Sequence, residues 1–102
     1  MRRLPVRFRE EAIADLIEIL DYLMGQGASE ATALGFVGRI RRRCEAIGDV
    51  PEGHPLRPDL GPGIRIAPFE HSAVIAYRLG DEAVDIVNVF YGGRDYQVLL
   101  QK

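Results

Sequence analysis

Two imidazoles, one thiol and a scatter of arginines are the side chains of this 102-residue chain with chemistry to offer near neutral pH. A general acid or base would fall to His54 or His71. His54 lies in a proline-rich stretch near Glu52 and Asp59, and His71 follows Glu70 at an expected turn. Neither has a nucleophile in a recognisable elbow, so both read as solvated surface side chains in preference to catalysts. Cys44 falls on the apolar stripe of an expected helix, where a thiol packs as a small hydrophobe. One cysteine and no paired histidines leave neither an internal disulfide nor a zinc site, and no cofactor is expected. Gly61-Pro62-Gly63 lacks a following Lys-Ser/Thr and leads into a strand, so it is not a phosphate cradle.

The arginines leave more open. Arg39, Arg41, Arg42 and Arg43 span just over one helical turn and therefore fan around the axis. They either offset the helix dipole in solvent or meet an acidic partner. Arg65, just after the Gly-Pro-Gly, and Arg94, in the segment Tyr91-Gly-Gly-Arg-Asp95, stand at element ends, where a rigid frame presents functional groups. Arg94 and Asp95 read equally well as a local ion pair. Twelve arginines against one lysine, Lys102, favour planar bidentate contacts, or reflect a biased genome. The formal net charge of -2 argues against a protein that binds nucleic acid alone.

These side chains must be carried by one small domain. Length and a 47% apolar, 27% charged composition suit a single water-soluble fold. No apolar run approaches the roughly 18 residues of a membrane span. The N-terminus turns acidic before any signal-like segment develops, so a cytoplasmic protein is expected. Leu4 to Phe8 reads as a short strand, with Pro5 marking a sheet edge. Ile13, Leu16, Ile17, Leu20, Leu23 and Met24 recur at spacings of three and four, which predicts an amphipathic helix over 9–24. Gly25-Gln26-Gly27 ends it, and Ser29 with Glu30 starts a second helix. Its buried stripe is expected to be Ala33, Phe36, Val37, Ile40, Cys44 and Ile47, with Gly48 as the C-cap glycine. The two form an antiparallel hairpin.

Four prolines between Asp49 and Gly63 forbid regular structure there. Ile64 to Ala67, Ala73 to Leu79 and Ala83 to Tyr91 are then three strands of an antiparallel meander, the last two joined through Gly80-Asp81-Glu82. Residues 94–102 fit neither period and stay unassigned. The order predicts an α+β domain over 1–102: an N-terminal strand, then the hairpin seated on one face of the meander.

Read in order, three blocks resemble the RelE/ParE superfamily of bacterial toxins, the ParE branch most. Phe8 to Leu23 is similar to its first-helix signature. Phe36 to Arg65 is similar to its second helix, Pro-x-Gly turn and Asp-Leu-x-x-Gly-x-Arg strand entry, and Val74 to Arg78 with Val84 to Asp95 to its closing strands. Two positions depart: His54 where many ParE chains have arginine, and Tyr91 where histidine is common. The resemblance implies the toxin of a type II toxin–antitoxin system, held in a hetero-oligomer by a ParD-like antitoxin and reaching DNA only through it.

It leaves two targets, DNA gyrase or messenger RNA on the ribosome, besides a non-toxic homologue that only pairs with antitoxin. A ribonuclease of the RelE kind would rest on Arg65, Arg94 and Tyr96, but neighbouring strand positions read Ala67 and Val74. Losing phosphate-stabilising donors costs about 10²-fold or more each, which favours a gyrase inhibitor without catalytic residues. The antitoxin surface is then expected at Ile13, Leu16, Leu20, Phe36, Ile40, Arg39 and Arg43. The target surface is expected at Arg65, Arg94, Asp95 and Tyr96.

Overall fold

The computed structural model describes residues 3–92. Its order is β1 (Val6–Phe8), α1 (Glu10–Gly25), α2 (Glu30–Ile47), β2 (Ile64–Phe69), β3 (Ala73–Leu79) and β4 (Val84–Tyr91). The strands form one sheet in the order β1-β4-β3-β2. The expected meander is present, and β1 joins it in parallel with β4, pairing Val6 with Val84 and Phe8 with Ile86. β2 is longer than the sequence suggests and runs on through Pro68 to Phe69. An edge strand tolerates the missing N–H.

The helical hairpin covers one face. Leu16 and Ile19 from α1, and Ile40, Cys44 and Ile47 from α2, pack on Ala67 and Phe69 of β2, Ile75 and Tyr77 of β3, and Ile86 and Val89 of β4. The alternation that puts these strand residues inward is interrupted once. Between Ala76/Tyr77 the register jumps from Ala76↔Asn88 to Tyr77↔Ile86, which leaves Val87 as the extra residue of a bulge. The bulge resets the phase so that both halves of β4 face the helices.

Because β1 is only three residues long, the β4 backbone beyond Ile86 runs past its partner. α1 fills the gap. The Arg9 N–H donates to the Ile86 carbonyl at 3.0 Å. The Asp15 carboxylate accepts from the Val89 N–H at 2.8 Å and from Asn88 Nδ2 at 3.0 Å. A helix side chain thus satisfies backbone that would otherwise be left without a strand.

At the start of α2, Ser29 caps as expected, its hydroxyl accepting from the Thr32 N–H at 3.1 Å. Gly48 is the C-cap residue, as expected, but its φ of -63° is right-handed, so it is not a left-handed cap. It is glycine for want of room: a Cβ there would overlap the Leu4 carbonyl, and the Leu4 N–H donates to the Gly48 carbonyl at 2.9 Å. The close approach fastens the start of β1 to the end of α2.

The 49–63 connector has no helix or strand of its own, but it is ordered by donors from three sides. Tyr77 Oη donates to the Pro51 carbonyl at 3.1 Å, Arg78 Nε to the Pro62 carbonyl at 2.9 Å, and Arg65 Nη1 to the His54 carbonyl. Leu56 bridges to Arg65, and the Arg57 N–H donates to the Ile64 carbonyl at 2.7 Å, so this loop also flanks the outer edge of β2. Arginine's several fixed donors suit it to this work of holding backbone carbonyls.

Candidate partner-binding site

α1 carries more apolar side chains than the core can absorb. Ala12, Leu16 and Ile19 are buried, while Ile13 and Ile17 are 48% and 54% exposed. With Leu20 they form a stripe at spacings of four and three, one edge of a helix surface. On α2, Val37 and Arg41 stand opposite. Between them runs a groove of about 320 Å³ lined by Phe8, Ile13, Leu16, Ile17, Leu20, Val37 and Arg41. The Arg41 guanidinium lies 5.7 Å from the centroid of the Phe8 ring, so an exposed cation stands in the otherwise apolar lining. α1 itself brings carboxylates and no basic side chain.

A second hollow, of about 290 Å³, opens between α1 and the end of β4, lined by Asp15, Glu18, Ile19, Tyr22, Val89, Tyr91 and Gly92. From its Tyr22 and Tyr91 an aromatic wall continues beyond it: Tyr22 meets Tyr91 edge-on at 5.8 Å, Tyr91 meets Phe36 at 5.4 Å, and Phe36 meets Phe69 at 5.8 Å. Arg39 sits 5.2 Å over the Phe36 ring and grips Glu70 with two bonds of 3.1 and 3.2 Å. Glu70 and His71 form the β2–β3 turn, both with positive φ, 48° and 60°. That is the hallmark of the tight hairpin turn, here without the usual glycine or asparagine.

The expected partner-binding residues divide on this frame. Ile13, Leu16 and Leu20 line the groove. Phe36 and Arg39 face the aromatic wall and the turn instead. Ile40 is fully buried against the sheet and offers no surface to a partner. The groove residues not named from sequence are Ile17, Val37, Phe8 and Arg41. Ile17 was visible as a surplus apolar position, whereas Phe8 and Arg41 meet only through the tertiary fold.

His54 departs from expectation, and Arg43 is its neighbour on α2. Arg43 Nη2 lies 3.1 Å from His54 Nε2, and the half-buried imidazole stands edge-on to the Tyr77 ring at 6.3 Å. His54 is therefore not a solvated side chain. Burial, then the Arg43 charge, push its pKa below the ordinary value, and burial raises that of Tyr77. Arg65 is committed to the His54 carbonyl, with its Nε buried and without a hydrogen-bond partner among the described residues. Arg94, Asp95 and Tyr96 lie outside the described residues. Cys44 is buried and its thiol is pushed up to about 12, as a packing residue requires. His71 is exposed at its turn, as expected. No cluster of three or more metal-ligating side chains occurs among the described residues, and none of the described helices is long and apolar enough to cross a membrane.

Comparison with known proteins agrees with this architecture. No curated protein sequence matches the chain significantly. Among solved structures, the chromosomal ParDE toxin–antitoxin system from P. aeruginosa superposes with a TM-score of 0.75 at 21% identity, over 86% of this chain and 95% of that one. A conserved hypothetical protein from Helicobacter pylori, HP0894, aligns at 14% identity and a TM-score of 0.43, over 89% of this chain and 97% of that one. The family model described as the ParE toxin of the type II toxin–antitoxin system, parDE, matches residues 6–96. Covering nearly all of the sequence, that match shows that the chain belongs to the ParE toxin family.

Proposed function

We propose that this chain is a cytoplasmic toxin whose target is DNA gyrase, and that a ParD-like antitoxin silences it by laying an apolar segment in the α1/α2 groove. The groove carries the reading. Half-exposed Ile13 and Ile17 beside Leu20 and Val37 make an apolar receptor of the kind that takes an amphipathic segment, and exposed Arg41 in its lining favours a carboxylate on the incoming chain. Gyrase is favoured over messenger RNA because a ribonuclease needs free cations around a phosphate. Arg65 is already engaged by a backbone carbonyl, Ala67 two positions along the same strand is apolar, and the chain is net acidic.

Two experiments test this. Co-expression with the antitoxin from the same operon gives a stable complex, and Ile17→Glu, at a half-exposed position that the core does not use, abolishes it while the melting temperature holds. An undiminished complex removes the groove from the reading. Purified toxin is then titrated into a gyrase supercoiling assay, where loss of supercoiling with cleaved DNA is expected. Untouched gyrase together with transcript cleavage that Arg94→Ala/Tyr96→Phe abolishes would replace gyrase by the ribosome.

A further inference from the structure

The contact between Arg43 and His54 carries its own chemistry. A guanidinium has donors only, so the Nε2 atom it meets at 3.1 Å must be the acceptor, and the imidazole is neutral with its proton on Nδ1. Adding a proton to Nε2 removes the lone pair that holds this bond and sets two cations face to face. We propose that the His54–Arg43 pair is a pH-operated latch, in which proton uptake by His54 releases the 49–63 loop from α2.

Among the described residues, the surroundings offer the new charge no relief. From α2 the imidazole faces Arg43, from β2 it has Arg65 bonded to its own carbonyl, and from β3 the edge of the Tyr77 ring. Within the loop, Glu52 is exposed, and Asp59 is already gripped by Arg57 at 3.1 and 2.9 Å. No carboxylate among these contacts the ring.

The sign follows from linkage. The folded pKa of His54 lies below 6.5, by burial and by Arg43, so the closed loop binds fewer protons than the open one. Closure is fully favoured above pH 6.5 and is lost as pH falls from there through the folded value. Opening also returns the Arg43 and Arg65 guanidiniums to solvent, so the loop surface becomes more basic as the medium becomes more acidic. The latch is independent of the groove and of the identity of the target.

Amide hydrogen exchange of the full chain between pH 5 and pH 8, corrected for intrinsic chemistry, reads the latch directly. The reporter is the Arg57 N–H, which ties the loop to Ile64, compared with amides of β3. In wild type and in His71→Asn, its protection relative to β3 falls by up to about tenfold per pH unit below 6.5. In His54→Gln, whose amide oxygen can accept from Arg43 but cannot titrate, the ratio stays flat. An equal slope in His54→Gln, or no slope in wild type, overturns the proposal. A second measurement needs no conservative replacement: the imidazole resonances of His54 titrate at higher pH in Arg43→Ala than in wild type, and an unmoved titration also overturns it.

Discussion

Asp15 joins α1 to the sheet, and removing it tests whether a helix carboxylate stands in for the strand that β1 is too short to supply. One oxygen accepts from the Val89 backbone at 2.8 Å and from Asn88 Nδ2 at 3.0 Å. Hydrogen bonds to a charged group contribute about 1.5–3 kcal/mol each, and an orphaned buried N–H costs about 1–3 kcal/mol. Val89 is 1% exposed, so water has little access to its amide in the closed fold. Alanine recovers about 0.5 kcal/mol of helix propensity, which is too little to compensate. The Asn88 amide can turn to water, so the Val89 bond alone is counted: Asp15→Ala is expected to lose about 1–2.5 kcal/mol, and at about 4–8 °C per kcal/mol for a domain of this size its Tm falls by about 4–20 °C. Asp15→Asn keeps an oxygen at the same place and loses less. Thermal and urea denaturation followed by far-UV circular dichroism give both numbers. Asp15→Ala within about 0.5 kcal/mol of wild type, the range of an ordinary surface substitution, would refute the account.

Gly48→Ala forces a methyl group against the Leu4 carbonyl and within 3.0 Å of Val6 Cγ2. It should destabilise by about 1–3 kcal/mol in urea unfolding, with fast exchange at the β1 amides as its local sign. His71→Gly relieves a left-handed conformation at φ 60° on an exposed turn and should raise stability by about 1 kcal/mol, read as a higher Tm. Cys44, its thiol pushed up to about 12, should resist a thiol reagent at pH 8 in the native protein. Labelling should follow the unfolding rate and speed up with urea.

Much of the fold was legible because period and punctuation agree along the chain. The helices follow from apolar spacing with Ser29 as a cap, and the last three strands from β-rich runs separated by turn residues. The parallel pairing of β1 with β4 was not legible, since three residues carry too little pattern to choose a neighbour 78 positions away, as Arg7 does with Asp85. The bulge at Val87 was equally hidden, because an apolar run without alternation does not mark where its phase slips. Gly48 is legible as the cap position but not in its conformation: glycine after a helix ordinarily signals a left-handed cap, and here it signals contact with Leu4.

The site was half legible for a related cause. Periodicity shows that α1 has surplus apolar positions but not which of them the sheet covers: Ile13 and Leu20 line the groove, while Ile40, on the other helix, is core. His54 and Arg43 lie on different elements, and nothing in composition announces that the loop folds back to bring them together. The run Arg39, Arg41, Arg42 and Arg43 divides in the same way. Three of its members find three separate partners: Glu70, the Phe8 ring and His54.

The two margins of the sheet have a bearing on the protein's life at high concentration. On one side β1 offers only three residues, and on the other the Leu56–Arg57 segment and Pro68 leave β2 few unpaired backbone groups in a row. Among the described residues a foreign strand would find no long template on either side, so sheet-to-sheet stacking of copies has little there to start from. Precipitation of this protein should thus begin from partial unfolding, and conditions that stabilise the fold should suppress it.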